Sequence, residues 1–273
     1  VSPTSGTRPA TLSADASKAD AVPYAQLHDT VIETLGSEIV TGVLPAGSIV
    51  GADELAARLG VSRTVVREAT RVLESVNLIR VRRKVGITVL PAEAWSPYDP
   101  NVIRWRLAGP DRYEHLNALS ELRSAVEPLA ARLAAREATP EQCGALTAAV
   151  IGMSATARAA NSDAYLRHDA DFHRTLLAAS GNPMLHGLRD VVVAVLEGRT
   201  AHALMPRVAE PEAVRLHGVV ASSIQAGDAE AAEAAMLAIV RESSTAVETV
   251  RAMETLTNSA QIIDEMAREN RSH

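Results

Sequence analysis

Apolar residues Val66, Ala69, Leu73 and Val76 recur at steps of three and four, the stripe of a helix lying on a core. Arg63, Arg67 and Arg71 occupy the opposite face. Ser62, immediately before this run, offers a hydroxyl to the free N–H groups of the turn that follows, which predicts a helix starting near Arg63. Upstream, DELAARLG (Asp53 to Gly60) predicts a short helix stopped by a glycine, so the pair forms helix, tight turn, helix. After Leu78 and Ile79 the period shortens to two. β-Branched residues alternate there with Arg80, Arg82, Arg83 and Lys84 around Gly86, the pattern of a two-stranded wing.

From Asp111 onward the periodicity is helical, with helices expected at about 111–137, 141–160, 162–180, 184–204, 211–226 and 228–257. The breaks fall at Thr139-Pro140, Ser180-Gly181-Asn182-Pro183, Met205-Pro206 and Gly227-Asp228. Between wing and bundle, Pro91 to Trp105 brings three prolines and both tryptophans of the chain, and residues 91–110 read as a linker with a packing anchor. The expected fold is therefore mainly α: a winged helix-turn-helix at 24–90 followed by an all-α helical bundle at 111–257. Residues 1–23 read as a disordered tail, rich in Ser, Thr, Ala and Pro, and residues 258–273 as a C-terminal tail.

Charge sharpens this division. From Arg58 to Lys84 there are eight Lys or Arg against Glu68 and Glu74, a local net of +6, whereas the whole chain carries −6. A concentrated basic patch on an otherwise acidic protein is what phosphate binding requires, and in a helix-turn-helix the start of the second helix enters the major groove of double-stranded DNA. Aromatic residues make up only 3% of the chain, which favours packed helices over sheet. No apolar run approaches the roughly 20 residues needed to cross a bilayer. Without the apolar core of a signal peptide at residues 1–23, a cytoplasmic location is expected. Cys143 is the single cysteine, which leaves no disulfide framework within the chain and no cysteine zinc cluster.

These motifs carry a family resemblance. The stretch LGVSRTVVREATRVLESVNLI resembles the GntR family of bacterial transcription regulators, and the helical remainder resembles the effector domain, termed FCD, of its FadR subfamily. The matching pieces are ELRSAVEPLAARLAA, DADFHRTLLAASGN and LHGVVASSIQAGDAEAAEAAM, and the likeness spans about residues 25 to 255. The segment from Tyr98 to Arg123 is similar to members that respond to sugar acids such as galactonate or gluconate. The resemblance implies that Arg63, Thr64 and Arg67 meet DNA, with Arg63 on a base edge and Ser62 and Arg67 on phosphate. Arg83, Lys84 and Gly86 would lie in or over the minor groove. One position departs from the pattern: many relatives carry an arginine where this chain has Asp53.

In the bundle, Asp169 and His173 stand four apart and project from one helix face, a workable pair for a divalent metal, and His217 can join from a later helix. The resemblance implies a site of one Asp and three His that holds a metal, often completed by the effector's carboxylate. Here Ile239 occupies the position of the last histidine. Two readings stay open: three ligands holding Zn, Mn or Ni, with His168 or His202 as a substitute fourth, or a metal-free pocket in which His173 and His217 donate hydrogen bonds. Arg123 reads either as the guanidinium that receives a carboxylate effector or as the surface partner of Glu127, and the resemblance favours the former. Asn182 reads either as an effector contact or as the cap of the next helix.

The expected function is a homodimeric, ligand-responsive transcription regulator, a repressor released from its operator by a small carboxylate. Alternatives are an effector-independent DNA-binding protein and a metal-dependent hydrolase. No HExxH, nucleophile elbow or phosphate-cradling glycine loop accompanies the second, so the chain is not expected to be an enzyme.

Overall fold

The computed structural model of the chain describes residues 24–159, 161–204 and 211–269. The expected tail at 1–23 and the expected break at Met205-Pro206 lie outside those residues. The head opens with helix α1 (Tyr24–Val40), then strand β1 (Ile49–Val50), helix α2 (Ala52–Leu59) and helix α3 (Arg63–Ser75). Gly60 closes α2 in the left-handed conformation (φ 65°), where a side chain is disfavoured. Ser62 starts α3 by accepting from the Val65 N–H at 3.3 Å.

Strands β2 (Ile79–Arg82) and β3 (Gly86–Val89) form the wing, with β3 central between β1 and β2 and all pairings antiparallel. The hairpin turns at Arg83-Lys84-Val85, with Lys84 at φ 66° and Gly86 at φ 116°, so the tip lies just before the glycine. Val65, Val66, Ala69 and Leu73 of α3 pack with Val31 and Leu35 of α1 and with Ile87 and Val89 of the wing. Glu74 of α3 accepts from the Val81 N–H at 2.8 Å, which pins the wing to the helix beside it.

The segment expected to be a linker contains helix α4 (Pro100–Ala108). Asp99 caps it by accepting from the N–H groups of Asn101 and Val102, and Pro100 sits at the first helical turn, where its missing N–H costs nothing. This helix belongs to two cores. Val102 and Trp105 complete the core of the head, while Ile103 and Leu107 join Leu116, Leu119, Val191 and Val195 of the bundle. Arg104 and Trp105 both donate to Glu33 of α1, at 2.6 and 3.0 Å. Gly36 leaves the space that the Trp105 ring fills.

The bundle comprises α5 (Arg112–Glu137), α6 (Pro140–Arg158), α7 (Ser162–Ala179), α8 (Pro183–Gly187), α9 (Arg189–Ala201), α10 (Pro211–Ala226) and α11 (Ala229–Glu269). Two expectations change. The single helix expected at 184–204 is two, α8 and α9, with Leu188 between them, and the last helix runs twelve residues past the expected end at 257. Thr139 and Gln142 cap α6 reciprocally, and Asp228 caps α11 through the Ala231 N–H. Among the described residues no helix is long and apolar enough to cross a membrane.

Candidate functional site

Two groups of polar side chains stand out, one exposed on the head and one buried in the bundle. On the head, Ser62, Arg63, Thr64 and Arg67 are all exposed along the first turns of α3, and Arg83 and Lys84 are exposed at the wing tip. Val65, Val66, Ala69 and Leu73 of α3 and Ile87 and Val89 of the wing face the core, so the basic residues lie on the outward side of the head. Arg63 is not solitary: its Nε lies 2.7 Å from Oδ1 of Asp53 at the start of α2.

The buried group is centred on α7. Asp169 and His173 project from one face of that helix, as their spacing requires, and His217 reaches them from α10. His217 Nε2 is 3.2 Å from Asp169 Oδ1, His173 Nε2 is 3.5 Å from the same oxygen, and the two Nε2 atoms are 3.5 Å apart. All three residues are at least 97% buried. Asp169 Oδ1 is buried without a hydrogen-bond partner. A buried carboxylate oxygen in that condition carries a desolvation cost that a cation would offset.

The imidazoles are held from behind. His217 Nδ1 lies 2.7 Å from the Ala213 carbonyl, which can only accept, so Nδ1 carries a proton and Nε2 is the nitrogen turned towards Asp169. His173 Nδ1 lies 2.9 Å from Glu127 Oε2, an ion-pair contact that falls short of hydrogen-bond alignment. Donors bound at roughly 2.0–2.1 Å to one ion sit about 3.0–3.4 Å from each other. The spacings here fit a divalent metal, with Asp169, His173 and His217 as its ligands.

Around this centre the charges alternate. Arg123 of α5 grips Glu127 one turn later through Nε at 2.6 Å and Nη2 at 3.3 Å, with both side chains essentially buried. Burial alone would raise the Glu127 carboxyl, but the Arg123 guanidinium and His173 outweigh it and hold it at about 2. Burial likewise opposes ionisation of Asp169, and the two imidazoles outweigh it, leaving its pKa well below the ordinary value. Arg199 of α9 contacts Asp169 Oδ2 at 3.3 Å and donates to Ser243 of α11, while its Nε is buried with no hydrogen-bond partner. Burial and the like charge of Arg123 depress its pKa.

The sequence-predicted residues are thus partly assembled. Asp169, His173, His217 and Arg123 converge, but Arg123 reaches the cluster through Glu127, and that pair is interior rather than on the helix surface. Asn182 caps α8, accepting from the Met184 N–H at 2.9 Å. His168 does not stand in for the absent ligand: among the described residues only Asp169, His173 and His217 group as metal donors, and the His168 ring packs over Gly152 of α6. Ile239 is buried in the apolar core. Glu127 as a buried group, Arg199 and Ser243 were missed. Arg199 falls three and four residues after Leu196 and Val195, and an arginine on an apolar helix face is a signal that could have found it.

Comparison with known proteins decides the family. Residues 27–89 match the model of bacterial regulatory proteins of the gntR family, and residues 118–242 match the FCD domain. The chain belongs to the GntR family, in its FCD-containing FadR subfamily. It is 30% identical over 218 residues to the galactonate operon transcriptional repressor of Escherichia coli K12, covering 79% of this chain and 94% of that protein. Among solved structures, Lar, which controls expression of the Listeria monocytogenes agr system, aligns over 82% of this chain and 97% of its own, with a TM-score of 0.53 at 18% identity. E. coli McbR/YncC aligns over 82% and 98%, with a TM-score of 0.50 at 20% identity. At those identities both speak for the fold alone. Family membership makes this GntR protein a DNA-binding transcription regulator with an effector domain, and not an enzyme.

Proposed function

We propose that this protein is a homodimeric cytoplasmic repressor that leaves its operator when a small carboxylate, a sugar acid, binds in the bundle. The observation that carries the reading is the convergence of three buried donor atoms beside two buried guanidinium groups. Glu127 and Asp169 balance Arg123 and Arg199 in charge. A divalent ion held by Asp169, His173 and His217, with Zn, Mn and Ni the metals suited to such N and O donors, supplies two further positive charges and a Lewis-acid contact for a carboxylate oxygen. The Arg123 edge left open by Glu127 and the unbonded Nε of Arg199 then orient the rest of the acid. Similarity to the galactonate operon repressor supports a sugar acid.

On the head, Arg63 reads a base edge, Thr64 lies beside it, Ser62 and Arg67 hold phosphates, and Arg83, Lys84 and Gly86 follow the minor groove. Two heads on one pseudo-palindromic site require a dimer. Coupling runs through α4. Arg199, tied to Asp169, is adjacent to Gly198, on which Leu107 of α4 sits so closely that a methyl group at Gly198 would collide with it. The other face of α4 is fixed to α1 by Trp105 and Arg104. An effector that rearranges Arg199 therefore bears on the helix that also closes the core of the head. Coupling energies of such switches are typically ~1–3 kcal/mol.

Elemental analysis of the purified full chain, with melting curves in galactonate and gluconate with and without added Zn, Mn or Ni, tests the site. Stoichiometric metal with a metal-dependent rise in melting temperature is expected. A protein without metal that none of these acids stabilises overturns the proposal.

A further inference from the structure

The departure from the family pattern at position 53 lies against the residue assigned to base reading. Asp53 is on the first turn of α2 and Arg63 is the first residue of α3; the turn at Gly60 folds them together, Oδ1 to Nε at 2.7 Å. Both side chains remain about two-thirds or more exposed, at 68% and 77%. An ion pair so open to water contributes little to the fold. Its place at the outward corner of the helix-turn-helix gives it another use.

The geometry points to Asp53 as the residue that sets the base preference of the head, by fixing which edge of Arg63 meets DNA. A guanidinium can approach guanine side-on, through Nε and one terminal nitrogen, or end-on, through Nη1 and Nη2. Asp53 lies against the Nε edge, an ion-pair contact that falls short of hydrogen-bond alignment, and so stands in the way of a side-on approach; the end-on pair is what Arg63 offers to guanine O6 and N7. The pair also strengthens where DNA displaces water from it. Asp53 places a negative charge on a surface that faces phosphates, which weakens binding to any sequence. A residue that lowers general affinity while sharpening one contact raises discrimination twice over.

This inference rests on Arg63 facing a base, and the test separates the two. The full-length protein and its Asp53→Asn and Arg63→Ala variants are each used to select from a pool of duplexes with a randomised core, and affinity for an unselected duplex is measured alongside. Wild type is expected to enrich a guanine in each half-site, with a discrimination of roughly 5- to 100-fold. Asp53→Asn should lose the preference at that position, keep the others, and bind the unselected duplex several-fold more tightly at an unchanged melting temperature. Loss at that position in Arg63→Ala but not in Asp53→Asn overturns the role of Asp53 alone. Wild-type preferences in both variants overturn the assignment of Arg63, and the inference with it.

Discussion

The head and the bundle use arginine in opposite ways. On the head, Arg63, Arg67 and Arg83 stand in water, and the ion pair of Arg63 with Asp53 is itself open to solvent. In the bundle, Arg123 and Arg199 are enclosed among helices and bound to carboxylates or to Ser243. The first arrangement suits a polyanion that comes to the surface, where affinity arises by releasing counterions and the cations need no shelter. The second suits a small anion that must be drawn out of water, where each buried charge persists only because a neighbour compensates it. Placement, and not residue type, separates the two tasks.

Breaking a charge in each region should therefore give unequal results. Arg123→Ala leaves Glu127 buried without its counterion, and a loss of about 3–5 kcal/mol in urea unfolding is expected; a loss below about 1 kcal/mol would mean that water reaches the pair. A smaller effect comes from His115, which burial, reinforced by Arg106, lowers from 6.5 to about 4. Because the folded state keeps this imidazole neutral, its contribution is complete above pH 6.5 and is lost as the pH falls towards 4, with stability rising with pH across that window. The difference is on the order of 3 kcal/mol. Melting curves between those pH values should show a slope that His115→Gln removes, and an equal slope in both proteins would assign the effect elsewhere. Least is expected of Arg67→Ala: stability within about 0.5 kcal/mol of wild type. Its mark should appear instead in DNA binding, as a salt dependence shallower by roughly 0.9 in log–log slope, uniformly across sequences. A selective loss at one base would move Arg67 from phosphate to base reading.

Legibility follows the same division. The reading head is written in consecutive residues: Ser62 caps, the apolar stripe of α3 packs, and Lys84 and Gly86 turn the wing, so local pattern was enough. In the bundle, Asp169 and His173 were visible from one helical turn of spacing. Glu127, Arg199 and Ser243 were not, because they stand on α5, α9 and α11 and meet only when those helices pack. His168, offered with His202 as a substitute fourth ligand, stands one position from Asp169, and one residue rotates a helical side chain by about a quarter-turn, which directs this one onto Gly152. The segment holding α4 was read as a linker with a packing anchor because Pro91, Pro97 and Pro100 look like loop composition; Asp99 and Pro100 are instead a cap and a first-turn proline, and Trp105 packs in the core of the head.

That shared helix limits how the molecule can be taken apart. A fragment ending at residue 90 would expose the surface that Val102 and Trp105 cover, and one ending at residue 108 would carry Ile103 and Leu107 into solvent. Neither cut yields a clean module. Exchanging reading heads between regulators of this kind would have to match both faces of α4, so a new head inherits, along with its DNA preference, a requirement on the bundle it is joined to.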